Sequence, residues 1–484
     1  MDNTLARLRS GVTGLDEICG GGLVAGSSYI IQGRPGAGKT ILANQIAFAQ
    51  ARQGRKVLYV TLLAESHDRL FQSLSTLDFY DAQRVGNGIT YISLFRTLRE
   101  EGLSALVATL RTELARQKAS ILVLDGLLNA RESGESNLDV KTFVAELQGH
   151  AAFTGCTVLF LTSARIDESS PEHTMVDGVL QIEEILAASR TVRQIRVAKS
   201  RGSRAMGGLH LFEIGNRGIV VYPRLEVALG LPTRSDPAPP YRIPTGIDGL
   251  DARLGGGIPA SSVSVLVGPA GSGKTTFGLN FLQLGTPEEP AVHFGFYETP
   301  KRLETKAHAL GLDWEQRCSS GALKVIWRPM TENLLDKLAY DLLDVVRASG
   351  AKRVFIDGLA GFERATVDPH RMVEFFAALT NELRGLGVTT VCTWEVKELS
   401  GPWIENPSPE ILSQLDNVIG MQHELVDGVM KRAIAVLKVR DSLFDTTVAE
   451  VGISTSGKGV HVIGTLPLSD VVVAAGGNIK ARGR

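Results

Sequence analysis

One stretch of this chain occurs twice, and that repeat decides most of what the polypeptide can become. Gly33-Arg-Pro-Gly36-Ala37-Gly38-Lys39-Thr40 and Gly268-Pro-Ala-Gly271-Ser272-Gly273-Lys274-Thr275, followed by Thr276, both spell G-x4-G-K-T. Each copy follows an apolar run, Tyr29-Ile-Ile in one and Val263-Ser-Val-Leu-Val in the other. Each is also preceded by a glycine triplet, Gly20 to Gly22 and Gly255 to Gly257, with the same offset of 11 residues from triplet to loop. Before the triplets stand Thr13-Gly-Leu-Asp16 and Thr245-Gly-Ile-Asp248, which read as a further matching pair. Order and spacing repeat together, so the chain is a tandem duplication.

The residue types carry a definite chemistry. Glycines let successive amides of a turn face phosphate oxygens, and the positive end of the following helix adds to that field. The lysines neutralise the β and γ phosphates, and the hydroxyls of Thr40 and Thr275 are ligands for Mg²⁺. A second metal-side acid is expected at the end of a neighbouring parallel strand. Asp125 closes Ile121-Leu-Val-Leu, 86 residues after Lys39, and Asp357 closes Val354-Phe-Ile, 83 residues after Lys274. Both are followed by Gly-Leu, and both lie where a carboxylate can hold a magnesium-bound water.

Around these sites the chain alternates short apolar runs with amphipathic stretches. Lys56 to Thr61, Ile121 to Leu124 and Thr157 to Leu161 read as parallel strands covered on both faces, and Leu103 to Gln117 as a helix. Ala291 to Phe296, Val354 to Ile356 and Thr389 to Cys392 answer them in the second half. The expected fold is α/β, two P-loop domains each with a mainly parallel sheet flanked by helices. The domains are placed at residues 1–222 and 245–465, with a proline-rich linker at 223–244 and a flexible tail at 466–484.

Composition narrows the class. The chain has 484 residues, 44% apolar and 21% charged, with a formal charge of −1, so no global field draws it to nucleic acid or acidic lipid. The four cysteines never stand at metal-ligand spacing and read as buried apolar residues. With no apolar leader and no run long enough to span a bilayer, a cytoplasmic, non-membrane protein is expected.

The doubled T-G-[LI]-D, G-G-G and G-x4-G-K-[ST] series resembles the KaiC family, two-domain ATPases of the cyanobacterial circadian clock, over about residues 8–465. Two strand-ending segments add to the likeness, Leu186 to Gly202 with Lys199-Ser-Arg201 and Lys431 to Asp441 with Lys438-Val-Arg440. The resemblance implies a RecA-like fold, ATP and Mg²⁺ as ligands, and a double-ringed homohexamer with ATP between subunits. A KaiB-like or signalling partner is implied with it. On residue chemistry, Lys199/Arg201 and Lys438/Arg440 put two cations on one strand face, either to meet a neighbour's γ-phosphate or to guard a sheet edge.

The chain also departs from the family pattern. Where the family has two adjacent glutamates, Ala64 and Tyr297 replace the first, and Glu65 and Glu298 match the second with either a catalytic or a structural role. Loss of a general base costs ~10²–10⁴-fold in rate, so ATP hydrolysis should be weak; autokinase activity is not expected for a separate reason, the change at the phosphoacceptors. At the family's paired phosphoacceptors the chain has Leu412 and Ser413, leaving Ser413 as a candidate acceptor or a plain helix-surface serine. Two functions follow: a KaiC-like ring ATPase acting as a slow signalling or timing-type switch, or a nucleotide-gated scaffold that barely hydrolyses. A RecA-class DNA-dependent ATPase is disfavoured by the near-neutral charge and by the absence of a zinc or helix-turn-helix module.

Overall fold

The apolar runs beside each phosphate loop become the middle of a sheet, because strands buried on both faces have no polar side to show. The structure, a computed structural model, describes residues 5–63, 67–126, 137–163, 171–230, 241–396, 409–440, 442–454 and 459–466. The chain divides into two units, Met1–Ala228 and Leu229–Arg484.

The strands of the first unit are β1 (Arg7–Leu8), β2 (Leu23–Val24), β3 (Ser28–Gln32), β4 (Val57–Thr61), β5 (Ile89–Ser93) and β6 (Ile121–Asp125). They continue with β7 (Thr157–Thr162), β8 (Gly178–Ala187), β9 (Arg190–Ser200), β10 (His210–Gly215) and β11 (Gly218–Tyr222). Nine of them form one sheet in the order β11-β10-β9-β8-β3-β7-β6-β4-β5. From β5 to β8 the pairing is parallel, and from β8 to β11 it is antiparallel.

The second unit repeats the plan. Its strands are β12 (Arg242–Ile243), β13 (Ile258–Pro259), β14 (Val263–Gly268), β15 (Ala291–Gly295), β16 (Leu323–Trp327) and β17 (Arg353–Asp357). The remainder are β18 (Thr389–Glu395), β19 (Asn417–Val426), β20 (Val429–Val439), β21 (Ala449–Ser454) and β22 (Gly459–Thr465). The sheet order β16-β15-β17-β18-β14-β19-β20-β21-β22 matches the first strand for strand. In both, the strand that feeds the phosphate loop is central.

Alternation along these strands divides the core between two faces. In the first unit Ile31, Tyr59, Val123 and Leu159 pack with Leu42, Ile46 and Phe48 of the helix Lys39–Arg52. On the other face Ile30, Leu58, Val60, Leu122 and Phe160 pack with Leu106 and Leu110 of the helix Phe95–Gln117. That helix begins eight residues before the expected Leu103. It is bent at Gly102, whose φ of 78° joins two helical segments, and the first segment is too polar to be read from periodicity.

The structure also corrects the pairing of the motifs before the triplets. Gly14 and Gly249 are the left-handed N-caps of the equivalent short helices Leu15–Ile18 and Leu250–Arg253. The carbonyls of Asp16 and Asp251 accept from Gly21 and Gly256, and their Oδ1 atoms accept from the amides of Ser10 and Thr245. Asp16 therefore matches Asp251, not Asp248, and the true repeat is Ser10-Gly-Val-Thr-Gly-Leu-Asp16 against Thr245-Gly-Ile-Asp-Gly-Leu-Asp251. The overlapping T-G and G-[LI]-D fragments hid the three-residue offset. The expected tail beyond Leu466, residues 231–240 of the proline stretch and Asp441 lie outside the described residues.

Gly257 shows why the triplets are glycine. Its φ is +117°, and a Cβ there would sit 2.5 Å from the Ile243 carbonyl oxygen on β12. Gly350, after the helix Leu335–Ser349, also has positive φ (+68°) but faces open space. Gly350→Ala should cost about 1 kcal/mol for backbone conformation alone, and Gly257→Ala at least about 2 kcal/mol because a carbonyl must move as well. Urea midpoints of the two variants check this, and equal midpoints would contradict it.

Candidate functional site

Each phosphate loop leaves the carboxyl end of a central parallel strand and turns directly into a helix. The close approach demands glycine at its first position: a Cβ on Gly33 would lie 2.3 Å from the Ile182 carbonyl oxygen, and on Gly268 2.0 Å from that of Met421. The helices Lys39–Arg52 and Lys274–Leu282 start from Gly38 (φ 104°) and Gly273 (φ 106°), with no side-chain cap on their first amides. Uncapped N-terminal amides beside a lysine and a glycine turn form an anion site. Gly36 and Gly271 are left-handed within the turn, Ala37 and Ser272 are buried, and Thr276 is buried on the second helix.

The lysines fold back on their own loops. Lys39 Nζ donates to the carbonyls of Gly33 (2.8 Å) and Arg34 (2.9 Å). Lys274 Nζ donates to Gly268 (2.7 Å) and Pro269 (2.6 Å). Burial lowers the pKa of both ammonium groups, opposed by Asp125 in the first site and by Glu395 and then Asp357 in the second.

In both units the loop threonine and the strand-ending aspartate are brought together. Thr40 Oγ1 donates to Asp125 Oδ2 at 3.1 Å, and Thr275 Oγ1 donates to Asp357 Oδ2 at 3.0 Å. Both aspartates are buried, and burial raises the pKa of Asp357 against the pull of its hydroxyl donors and of Lys306 and Lys274. Two hard oxygens meeting beside the lysine suit Mg²⁺, which keeps much of its water. Thr40 and Thr275 would ligate the ion, and Asp125 and Asp357 would hold its waters.

Supporting groups differ between the sites, and these were not foreseen. Buried Tyr59 on β4 donates its hydroxyl to Asp125 Oδ2 at 3.1 Å, and its pKa is raised well above the usual phenol value by burial and by that carboxylate. In the second unit Thr393 on β18 donates to Asp357 Oδ1 at 3.0 Å instead. Beside the first loop a cleft of about 280 Å³ is lined by Gln32 to Arg34, Ser163 and Gln181 to Leu186.

The other candidate residues fall in distinct places. Lys199 Nζ donates to the carbonyls of His173 and Thr174, and Arg201 to Thr174 (2.9 Å). Lys438 Nζ donates to Leu415 (2.7 Å), and Arg440 to Asp416 Oδ1 (3.1 Å). The Arg201 amide bonds Asp177 at the start of β8, whereas the phosphate loop abuts Ile182, five residues or about 16 Å further along that strand. Arg440 and Met421 repeat this relation on β19. Neither pair serves its own loop. Glu298 is ion-paired with Lys306 of the helix Pro300–Ala309, and Tyr297 lies against Gly358. Ser413 is exposed and donates to the Glu410 carbonyl at 2.7 Å. Ala64 and Glu65 lie outside the described residues.

Comparison with known proteins agrees with this geometry. The family described as ATPase: KaiC matches residues 8–226 and again 243–466. A circadian clock oscillator protein KaiC of Rippkaea orientalis is 27% identical over 94% of this chain and 88% of its own length. A circadian clock protein KaiC3 of Synechocystis is 27% identical over 95% and 92%. The circadian clock oscillator protein KaiC of Synechococcus elongatus is 25% identical over 94% and 89%.

The two aspartates should respond to different neighbours. In a Lys274→Ala background, Tyr59→Phe should weaken first-site binding of a fluorescent Mg-nucleotide about 3- to 10-fold, the value of one ordinary hydrogen bond. Thr393→Val should do the same to the second site in a Lys39→Ala background. Fluorescence titration reads both, and unaltered affinities would mean that these hydroxyls do not organise the metal side.

Proposed function

The chain belongs to the KaiC family of ATPases, and on that footing we propose a ring-forming ATP-binding protein that hydrolyses ATP slowly and serves as a signalling or timing-type switch. One observation carries the reading: each unit gathers a loop lysine, a threonine hydroxyl and a buried aspartate at the carboxyl end of parallel strands. ATP with Mg²⁺ is the ligand this set fits.

Slow turnover is supported by the chemistry around the second loop. Tyr297 stands where the family has its first glutamate, and Glu298, whose role is either catalytic or structural, is ion-paired with Lys306. Assembly into a homohexamer is supported by the K-x-R pairs. They stand at the sheet end away from their own loop, and the Arg201 and Arg440 side chains are 57% and 49% exposed. A guanidinium there can make two hydrogen bonds to a neighbour's γ-phosphate, and ATP would then join protomers by mass action. Relatives named as circadian clock proteins support a switch role, and a KaiB-like or other signalling partner and a cytoplasmic location belong to the same reading.

Lys39→Ala and Lys274→Ala should each remove one of two nucleotides bound per chain in a filtration assay. Full stoichiometry in either variant would exclude that loop as a site. Arg201→Ala should weaken ATP-dependent assembly and leave the protomer folded. Mixing it with Lys39→Ala protomers should restore part of the lost first-site phosphate release, because each supplies the wall that the other lacks. Failure of the mixture to exceed the two separate rates would argue against shared sites.

A further inference from the structure

A carboxylate outside the expected positions stands level with the start of the second phosphate loop. Strand β18 runs between β14, which feeds the loop, and β17, which ends in Asp357. In the parallel register of β14 and β18, Glu395 is level with Gly268, the first loop glycine, and the amide of Val396 donates to the Gly268 carbonyl at 3.2 Å. Side chains two apart on a strand share a face. Thr393 already reaches Asp357 Oδ1 on that face at 3.0 Å, so Glu395 stands one pleat further toward the open, carboxyl end of the sheet.

The surroundings single this residue out. Glu395 is exposed and holds no hydrogen bond or ion pair among the described residues. Its charge acts on Lys274 more strongly than that of Asp357 does, and it also acts on Tyr297. Tyr297 lies against Gly358, immediately after Asp357. Glu298, by contrast, is tied to Lys306. Three acids thus stand near this loop in different states: Asp357 is committed to Thr275 and Thr393, Glu298 to a lysine, and Glu395 to nothing. In the first unit the same strand position, one past Thr162 and level with Gly33, is Ser163, which cannot take a proton at neutral pH.

We propose that Glu395 is the catalytic base of the second site, standing in for the glutamate that Tyr297 replaces. Water attacks the γ-phosphorus, its oxygen forms the new P–O bond, and the bond to the bridging oxygen breaks toward ADP. The proton released by the water goes to the Glu395 carboxylate, leaving ADP and inorganic phosphate. A carboxylate one pleat from the metal-side acid is placed for a water on the far side of the transferred group, while Asp357 keeps the metal side. The first site has Ser163 at this place, so a base for that site has to come from another position.

The inference rests on the reading of the second loop as an ATP-hydrolysing site, so its test must separate the two. Lys39→Ala protein confines turnover to the second site. In it, Glu395→Gln should lower phosphate release at saturating MgATP by at least 100-fold, the low end for loss of a general base. Binding of a fluorescent ATP analogue should be retained or tightened, because a negative charge beside Lys274 is removed. Glu395→Asp, one methylene shorter, should fall between the two. A folding defect would show as lost nucleotide binding, which a base substitution does not cause. Phosphate release by Lys39→Ala, Glu395→Gln protein at the Lys39→Ala rate overturns the inference and leaves the ATPase reading intact. Phosphate release absent already from Lys39→Ala protein that binds ATP overturns both.

Discussion

A threonine hydroxyl donating to a buried aspartate joins the helix after each phosphate loop to a strand of the sheet. The contact is made in both units, at 3.1 Å for Thr40 with Asp125 and 3.0 Å for Thr275 with Asp357. It can form only if the loop turns tightly enough to bring the first helical turn over the strand ends. That turn requires glycine at Gly33 and Gly268, where a neighbouring carbonyl leaves no room for a Cβ. It also requires the loop strand to lie centrally in the sheet, which the apolar runs secure by burying both faces. The site is therefore a consequence of sheet order, and an unpaired carboxylate at that depth would cost about 1–3 kcal/mol or more.

Identical topology has not produced identical sites. On the first-unit strand β4, Tyr59 reaches Asp125. The matching position on β15 is His293, since Thr61 pairs with Asp125 and Gly295 with Asp357. His293 is fully buried beside Phe355, and burial pushes its pKa down to about 4, so it stays neutral. Asp357 takes its second donor from Thr393 instead, where the first unit has apolar Leu161. In each unit the aspartate thus accepts from the loop threonine and from a strand hydroxyl, on β4 in the first and on β18 in the second. Duplicated domains keep the demand for a satisfied buried charge more faithfully than the residue that meets it.

Much of this was legible in the sequence because it depends on local spacing. G-x4-G-K-T fixes the loop, and an apolar run ending in Asp fixes Asp125 and Asp357, since both patterns are contiguous. What depends on register across the sheet was not legible. The pairing of Asp16 with Asp248 was three residues off, because two overlapping short motifs fitted equally well until the helix caps distinguished them. Tyr59 looked like one more apolar strand residue, and nothing in the run Val57–Thr61 marks its hydroxyl. Glu395 did carry a signal. Like Asp125 and Asp357, it is an acid that closes an apolar strand, and it was passed over because that strand was ended at Cys392.

The K-x-R pairs belong to a third category, in which the residues are evident in the sequence and the single chain shows only their local contacts. Lys199 and Lys438 satisfy carbonyls near the helices Pro171–Met175 and Pro409–Gln414, while the guanidinium groups beside them stay half exposed. The central claim is that this chain carries two nucleotides and that they lie where chains meet. Native mass spectrometry with MgATPγS measures both in one experiment. The account predicts an assembly of several chains holding two nucleotides per chain, which breaks into protomers when nucleotide and Mg²⁺ are removed. A monomer at saturating nucleotide, or an assembly with fewer than two nucleotides per chain, would contradict it.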